Sequence, residues 1–172
     1  MAGWCDELGR TMYRLIIMRH AKSSWDSDAL DDHSRPLNAR GRADAPRMGA
    51  RLVELGWQPD TVLSSDSMRT TETYERLSVA FDTPPTVRFT RALYHAGIRQ
   101  LQPVLAELGD ESTTVMVLGH NPGWSAAASW FSGTPIEMTT ANAVLLTSTA
   151  ATWSEAVMGE WTLREWIQPR AL

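Results

Sequence analysis

Two uninterrupted apolar runs, each ended by a histidine, most constrain how this chain folds. Leu15 to Met18 is followed by Arg19-His20, and Val115 to Leu118 is followed by Gly119-His120. Short apolar runs bounded by polar residues are typical of strands that are buried on both faces of a sheet. In open α/β sheets, ligands bind at the ends of such strands. We therefore expect each histidine to lie at the ligand-binding end of its strand.

Predicted strands and helices alternate along the chain. The patterns predict strands at 13–18, 61–63, 87–89, 114–118 and 143–149, and helices at 38–56, from the 64–67 serine segment to about 79, at 98–108 and at 121–131. This alternation indicates a mostly parallel sheet that is covered by helices on both faces. A last strand is predicted at 157–166, where apolar and polar residues alternate, as in an antiparallel or edge strand.

The length and composition limit the other possibilities. The chain has 172 residues, which suits one domain. We expect a single domain over 13–172 and a disordered extension over 1–12, which lacks periodicity. A net charge of -4 without a basic tract argues against nucleic-acid binding. No apolar stretch approaches the ~20 residues of a membrane span, and no signal peptide is recognisable. We expect a cytoplasmic protein with no nucleic-acid or membrane partner, and the sequence does not indicate its oligomeric state.

Two arginines accompany the strand-end histidines. Arg19 directly follows the first strand, and Arg69 lies in the first turn of the helix after the second. A guanidinium binds two phosphoryl oxygens and stays charged, which suits phosphoryl transfer. His20 is then a candidate nucleophile that would form a phosphohistidine intermediate, and His120 a candidate hydrogen-bond partner of a phosphoryl oxygen. For His20 alone a solvated position at a strand end is the favoured interpretation, and for His120 alone a position in a turn is an equal alternative, but the set of four favours phosphate chemistry.

Three segments carry a resemblance to a known family. The segment 15–20, which ends in Arg19-His20, resembles the opening motif of the histidine phosphatase superfamily, which includes the phosphoglycerate mutase-like enzymes. The segment 64–73 around Arg69 resembles that family's second-arginine segment, and 118–123 around His120 resembles its second-histidine motif. The chain looks most like the small SixA-type phosphohistidine phosphatases, because of the order of these segments, its short length and the segment 35–41. The resemblance covers about 13–166.

The resemblance implies an α/β fold, a three-layer α/β/α sandwich, and a pocket formed by His20 as nucleophile with Arg19, Arg69 and His120. It implies no metal and no cofactor. The implied activity is that of a metal-independent phosphatase with a phosphohistidine intermediate, acting on phosphohistidine in a phosphorylated protein. The alternatives are a small-molecule phosphomonoesterase acting on a phosphorylated metabolite, and a catalytically inactive phosphate-binding or interaction module.

Further pocket residues are expected next to His20. Ser23 and Asp26 are candidates to bind substrate together with Arg19 and Arg69, although loop polarity explains these two residues equally well. Trp25 is a candidate pocket wall. We expect Trp124 in the core, and we expect His33 to be exposed rather than to bind a metal, because the spacing around it is not diagnostic.

One departure from the family bears on the substrate. Larger members use a glutamate as general acid in the segment that corresponds to 91–96, where this chain has no acid. His95 lies in that segment, and we interpret it as a surface residue. An imidazole leaving group needs less protonation than an alkoxide. The missing acid therefore favours phosphohistidine or another labile phosphoramidate as the substrate.

Overall fold

The computed structural model describes residues 12–25 and 31–172, which form a six-stranded sheet with helices on both faces. The expected extension, apart from Met12, and Asp26 lie outside the described residues. The strands are β1 (Tyr13–Arg19), β2 (Thr61–Ser65), β3 (Thr86–Thr90), β4 (Thr114–Gly119), β5 (Ala143–Ser148) and β6 (Thr162–Ile167). The helices are α1 (Ala39–Glu54), α2 (Met68–Leu77), α3 (Ile98–Ala106), α4 (Gly123–Ser132) and α5 (Trp153–Ala156). Every helix among the described residues is too short or too polar to cross a membrane.

The sheet is mostly parallel, as the sequence predicts. Its strand order is β3-β2-β4-β1-β5-β6. The first four strands in this order run parallel to one another, while β5 pairs antiparallel with β1 and β6 pairs antiparallel with β5. The carboxyl ends of β1, β2, β3 and β4 therefore lie at the same edge of the sheet.

Two hydrophobic clusters, one on each face of the sheet, complete the three layers. On β1, Ile16 and Met18 face one cluster, and Leu15 and Ile17 face the other. The first cluster includes the buried face of α1, and the second includes that of α4. A strand with apolar side chains on both faces is stable only between two covering layers, which explains why the central runs are uninterrupted. The three-layer prediction is confirmed.

The predicted last strand, 157–166, begins too early. The structure starts β6 at Thr162 and places the short helix α5 before it. Val157 and Trp161 are buried because they pack around the end of this helix, where the Trp161 indole N–H donates to the Ala156 carbonyl at 2.8 Å. Their apolar spacing therefore comes from a helical turn and a loop, and resembles strand alternation only in sequence.

The starts of α1, α2 and α4 differ in their side-chain hydrogen bonds. Asn38 caps α1 by accepting a hydrogen bond from the Gly41 N–H at 3.0 Å, and Asn121 accepts one from the Ser125 N–H at 3.2 Å in α4. In α2 the N-cap residue is Ser67, but its side chain makes no capping hydrogen bond. The hydroxyl groups before α2 are directed to other partners, one of which is His120.

Candidate active site

The parallel sheet brings all four predicted pocket residues to one edge. Arg19 ends β1 and His20 follows it, His120 follows β4, and Arg69 lies in the first turn of α2, which follows β2. The ring centroids of His20 and His120 are 5.2 Å apart, and both side chains are buried. This proximity follows from the pairing of β1 with β4, in which Arg19 lies opposite Gly119.

His20 has a defined tautomer. Its Nδ1 lies 2.6 Å from the carbonyl oxygen of Ala21, and because a carbonyl can only accept, Nδ1 carries the proton. Burial, together with the charges of Arg69 and Arg19, lowers the pKa of His20 to about 3. The ring is therefore neutral near pH 7, with the lone pair on Nε2. An unprotonated ring nitrogen of this kind can act as a nucleophile.

The loop after His20 is fixed by its contacts. The Ala21 N–H donates to Thr73 Oγ1 at 3.0 Å, and the Asn38 N–H donates to the Lys22 carbonyl at 2.9 Å. A Cβ atom at Gly41 would lie 2.2 Å from the Lys22 carbonyl oxygen, so only glycine allows α1 to approach the loop this closely. The segment 35–41 therefore holds the loop after His20 in place.

Arg69 is buried and paired with Asp32. Its Nη2 lies 2.9 Å from Asp32 Oδ2, and its Nη1 donates to the Asp32 backbone carbonyl. Asp32 also accepts hydrogen bonds from the Tyr94 hydroxyl at 2.6 Å and from Arg35 Nη1 at 2.7 Å. Burial alone would raise the pKa of Asp32, but the hydrogen bonds from Tyr94 and Arg35 and the charge of Arg69 hold it well below its usual range. Asp32 is therefore an ionised carboxylate among donors that suit an anion.

His120 is held from behind by serine hydroxyls. Its Nε2 lies 2.9 Å from Ser65 Oγ and 3.5 Å from Ser67 Oγ. Its Nδ1 is buried and has no hydrogen-bond partner among residues 12–25 and 31–172. Burial lowers the pKa of His120 to about 2, and His20 and Arg69 act in the same direction. This second ring is therefore also neutral near pH 7.

The guanidinium of Arg19 lies partly buried at the same edge. Its Nη1 donates to the Met138 carbonyl at 2.8 Å, while its Nε has no partner in the described part of the chain. Burial lowers the pKa of Arg19. The side chain is thus anchored at one nitrogen and retains hydrogen-bonding capacity for a ligand.

Comparison with known proteins places the chain in a family. The sequence profile of the histidine phosphatase superfamily (branch 1) matches residues 15–94. An uncharacterised chloroplastic protein of Arabidopsis thaliana is 38% identical over 169 residues, which cover 91% of this chain and 78% of that protein. The chain belongs to the histidine phosphatase superfamily. An uncharacterised protein of Mycobacterium tuberculosis is 36% identical over 111 residues, which cover 64% of this chain and 67% of the relative.

Solved structures share the fold of this superfamily member. The protein histidine phosphatase SixA, complexed with tungstate, superposes with a TM-score of 0.78 at 22% identity, covering 92% of this chain and 98% of that one. A mycobacterial glucosyl-3-phosphoglycerate phosphatase superposes with a TM-score of 0.64 at 18% identity, covering 88% of this chain and 97% of that one. These likenesses show a common fold.

Asp32 and Arg35 lie at the candidate site of this superfamily member, although the sequence indicated neither as a pocket residue. The segment 91–96 holds no acid, as predicted, but the loop before α1 brings the carboxylate of Asp32 to Tyr94 in that segment. The spacing of Asp32 and Arg35 in the sequence gives no sign that both side chains turn towards Arg69. A long polar loop was the one available signal, and it does not identify individual residues.

Ser23 has a different environment from the one predicted. It is buried, and its hydroxyl accepts a hydrogen bond from Arg35 Nη2 at 2.8 Å, so it contacts the site through Arg35. The same guanidinium lies 3.5 Å from the ring centroid of Trp25, which is 74% exposed. Trp124 is buried, as expected for a core residue, and its ring leaves no space for a Cβ atom at Gly119.

Of the predictions for the two remaining histidines, the one for His33 is wrong and the one for His95 is confirmed. The prediction that His33 is exposed is wrong, because its Nε2 pairs with Asp66 Oδ1 at 2.8 Å and the side chain is only 25% exposed. His95 is exposed, as expected, but its ring centroid lies 5.6 Å from that of His120 and its Nε2 lies 3.5 Å from Asp32 Oδ2. His95 therefore lies beside the candidate site.

Proposed function

We propose that this chain is a metal-independent phosphatase that forms a phosphohistidine intermediate on His20 and removes the phosphoryl group of phosphohistidine in proteins. The observation that carries the proposal is the state of the His20 ring, in which Nδ1 donates to the Ala21 carbonyl and Nε2 bears the lone pair. The charges of Arg19 and Arg69 act on this ring. A neutral nucleophile beside fixed positive charges is what enzymatic phosphoryl transfer requires.

The reaction proceeds in two displacements. His20 Nε2 attacks phosphorus, and the bond between phosphorus and the substrate's imidazole nitrogen breaks. That imidazole leaves as a neutral ring when its other nitrogen carries a proton. Water then attacks phosphorus, the bond to Nε2 breaks, and inorganic phosphate is released while His20 regains its lone pair. Arg19 and Arg69 bind the phosphoryl oxygens, and His120 donates a hydrogen bond to one of them.

The state of Asp32 supports a labile phosphoryl donor. This carboxylate is held ionised by Tyr94, Arg35 and Arg69, so it has no proton to give to a leaving group in this arrangement. An alkoxide needs such a proton far more than an imidazole does. The likeness in fold to the protein histidine phosphatase SixA supports the same substrate class. Substrate binding by Asp26 stays a prediction, and Ser23 would act by orienting Arg35.

A second candidate function is hydrolysis of small phosphate monoesters. A phosphoryl group bound to Arg69 would separate this arginine from Asp32 and place negative charge beside the carboxylate, and both effects raise the pKa of Asp32 and favour its protonated form. Asp32, with His95 at 3.5 Å, would then be able to supply a proton to an alkoxide. The shared fold with a glucosyl-3-phosphoglycerate phosphatase is consistent with this alternative.

A comparison of substrates tests the proposal. The purified full chain is assayed with a phosphohistidine peptide and with sugar and alkyl phosphates, and the His20→Ala variant is assayed in parallel. We expect kcat/KM for the phosphohistidine peptide to exceed that for the esters at least tenfold, and the variant to be inactive on both. Much faster hydrolysis of the esters would instead support the second candidate.

A further inference from the structure

We propose that Ser65 is a positioning residue that fixes the tautomer of His120, so that Nε2 accepts a hydrogen bond and the Nδ1–H is the donor offered to the phosphoryl group. The identity of the ligand rests on the proposed function. The assignment goes beyond that function because it gives a role to a serine that the sequence indicated only as part of the segment 64–67, where a helix was predicted to start.

The sheet places Ser65 beside His120. Ser65 is the last residue of β2, and Ser64 lies opposite Leu118 of the neighbouring strand β4. The residues that follow in each strand therefore meet at the same edge, and Ser65 Oγ lies 2.9 Å from His120 Nε2. Both Ser65 and His120 are buried, so the hydroxyl must find its partner within the protein.

The contacts of Ser65 indicate the direction of this hydrogen bond. Its Oγ accepts from the Ser67 N–H at 3.3 Å, and within the described part of the chain the one acceptor recorded for its own proton is His120 Nε2. If Nε2 carried a proton instead, Ser65 would accept from two donors and its buried hydroxyl proton would have no acceptor. Leaving a buried donor unpaired costs about 1–3 kcal/mol in general. Ser65 therefore donates to Nε2.

The neighbouring hydroxyl groups do not reverse this assignment. Thr70 Oγ1 donates to the carbonyl oxygens of Ser65 and Ser67, both at 2.8 Å. With its proton used in this way, Thr70 Oγ1 accepts from the Ser67 hydroxyl at 2.9 Å. Ser67 is thus committed to Thr70, and it lies 3.5 Å from His120 Nε2, farther than Ser65 does.

The tautomer decides what His120 can bind. A neutral imidazole that accepts at Nε2 has its proton on Nδ1, the atom that is buried without a partner among the described residues. An N–H at this position would bind a phosphoryl oxygen, whereas a lone pair would repel it. Because burial keeps the ring neutral, the choice between donor and acceptor depends on the hydrogen bond at Nε2.

Nitrogen-15 NMR of the histidine rings tests the proposal on the full chain in phosphate-free buffer. The chain has four histidines, so assignment by single substitutions is practical. We expect His120 to be protonated at Nδ1 and unprotonated at Nε2. Ser65→Ala is expected to remove this preference and to weaken tungstate binding about tenfold, and Ser65→Thr, which keeps the hydroxyl, to restore both. Ser64→Ala is the matched control, because Ser64 is equally buried and donates to the Ser65 carbonyl.

The outcomes separate this inference from the proposed function. An Nε2–H tautomer in the wild-type protein, or an unchanged tautomer and tungstate affinity in Ser65→Ala, overturns the role of Ser65. If Ser65→Ala fails to fold, the wild-type spectrum decides alone. If the spectra agree with the expectation but no phosphorylated substrate is turned over, the proposed function fails and the assignment of Ser65 stands.

Discussion

The carboxylate of Asp32 lies 2.9 Å from Nη2 of Arg69, so the buried arginine of the candidate phosphate pocket is paired with an exposed carboxylate of the same chain. Arg35 and Tyr94 donate to the same carboxylate. These three donor groups, which suit a phosphoryl group, therefore already bind the carboxylate of Asp32. A phosphoryl ligand must compete with Asp32 for the guanidinium of Arg69.

Replacing Asp32 by asparagine is expected to tighten the binding of tungstate or inorganic phosphate. Removal of the carboxylate charge frees Arg69 and Arg35 for the ligand, and we expect an increase in affinity of about tenfold, which corresponds to ~1.4 kcal/mol. Isothermal titration calorimetry measures the change. Asp31→Asn is the matched control, because Asp31 is exposed and its side chain accepts from the Ser34 N–H. Equal or weaker binding by Asp32→Asn would show that Asp32 does not compete.

Arg69→Lys is expected to weaken tungstate binding about tenfold or more, although the charge is retained. Lysine is a point charge and lacks the planar fork that binds two oxygens at once. Arg76→Lys on the same helix is the control, since Arg76 is partly exposed and lies near Glu72. A lysine variant that binds as tightly as the wild type would show that Arg69 contributes charge alone.

The acid dependence of stability follows from His20. Its pKa is about 3 in the folded chain, against an ordinary value of 6.5. Between these pH values the unfolded chain binds more protons, so the free energy of unfolding must fall as the pH drops below 6.5 towards 3. We expect His20→Asn, which cannot titrate there, to gain stability relative to the wild type as the solution is acidified. Urea denaturation at neutral pH and at about pH 4 measures this; a constant difference between the two proteins contradicts it.

Gly41→Ala is expected to destabilise the chain and to disturb the loop of the nucleophile. Its Cβ would lie 2.2 Å from the Lys22 carbonyl oxygen, and relieving such overlap typically costs about 1–3 kcal/mol. Gly97→Ala is the matched control, because the nearest atom to its Cβ is 3.9 Å away. Denaturation and tungstate titration should both change in Gly41→Ala and neither in Gly97→Ala. If Gly41→Ala behaves like Gly97→Ala, the close approach of α1 is not required.

The strands and the positions of the four candidate pocket residues at strand or helix ends could be predicted because they depend on local pattern. The run Leu15 to Met18 is apolar at every position. A strand that is buried on both faces needs a covering layer on each side of its sheet, which limits the possible folds. The pattern places each histidine at the carboxyl end of its strand, and the pairing of β1 with β4 in the structure then brings His20 to His120. The alternation of apolar and polar residues predicted the start of β6 wrongly, because the buried Val157 and Trp161 belong to a helix end and a loop.

The partners of the pocket residues could not be predicted, because they depend on how loops fold back. Asp32 is separated by 37 positions from Arg69, and no local pattern relates the two. The sequence places Ser65 only in the segment 64–67 before a predicted helix, where a serine usually caps the helix. Its contact with His120 depends on the pairing of β2 with β4, and a single sequence does not state which strands are neighbours.

The most direct test of the central claim is to identify the phosphorylated residue. The wild-type chain and the His20→Ala variant are mixed briefly with a phosphohistidine peptide or another phosphoramidate, denatured, and analysed by tandem mass spectrometry under conditions that preserve phosphohistidine. His33→Ala serves as the control, because His33 is paired with Asp66. The account predicts a phosphoryl group on His20 in the wild type and in the control, and none in His20→Ala. A phosphoryl group retained by His20→Ala, or located on another residue of the wild type, would contradict it.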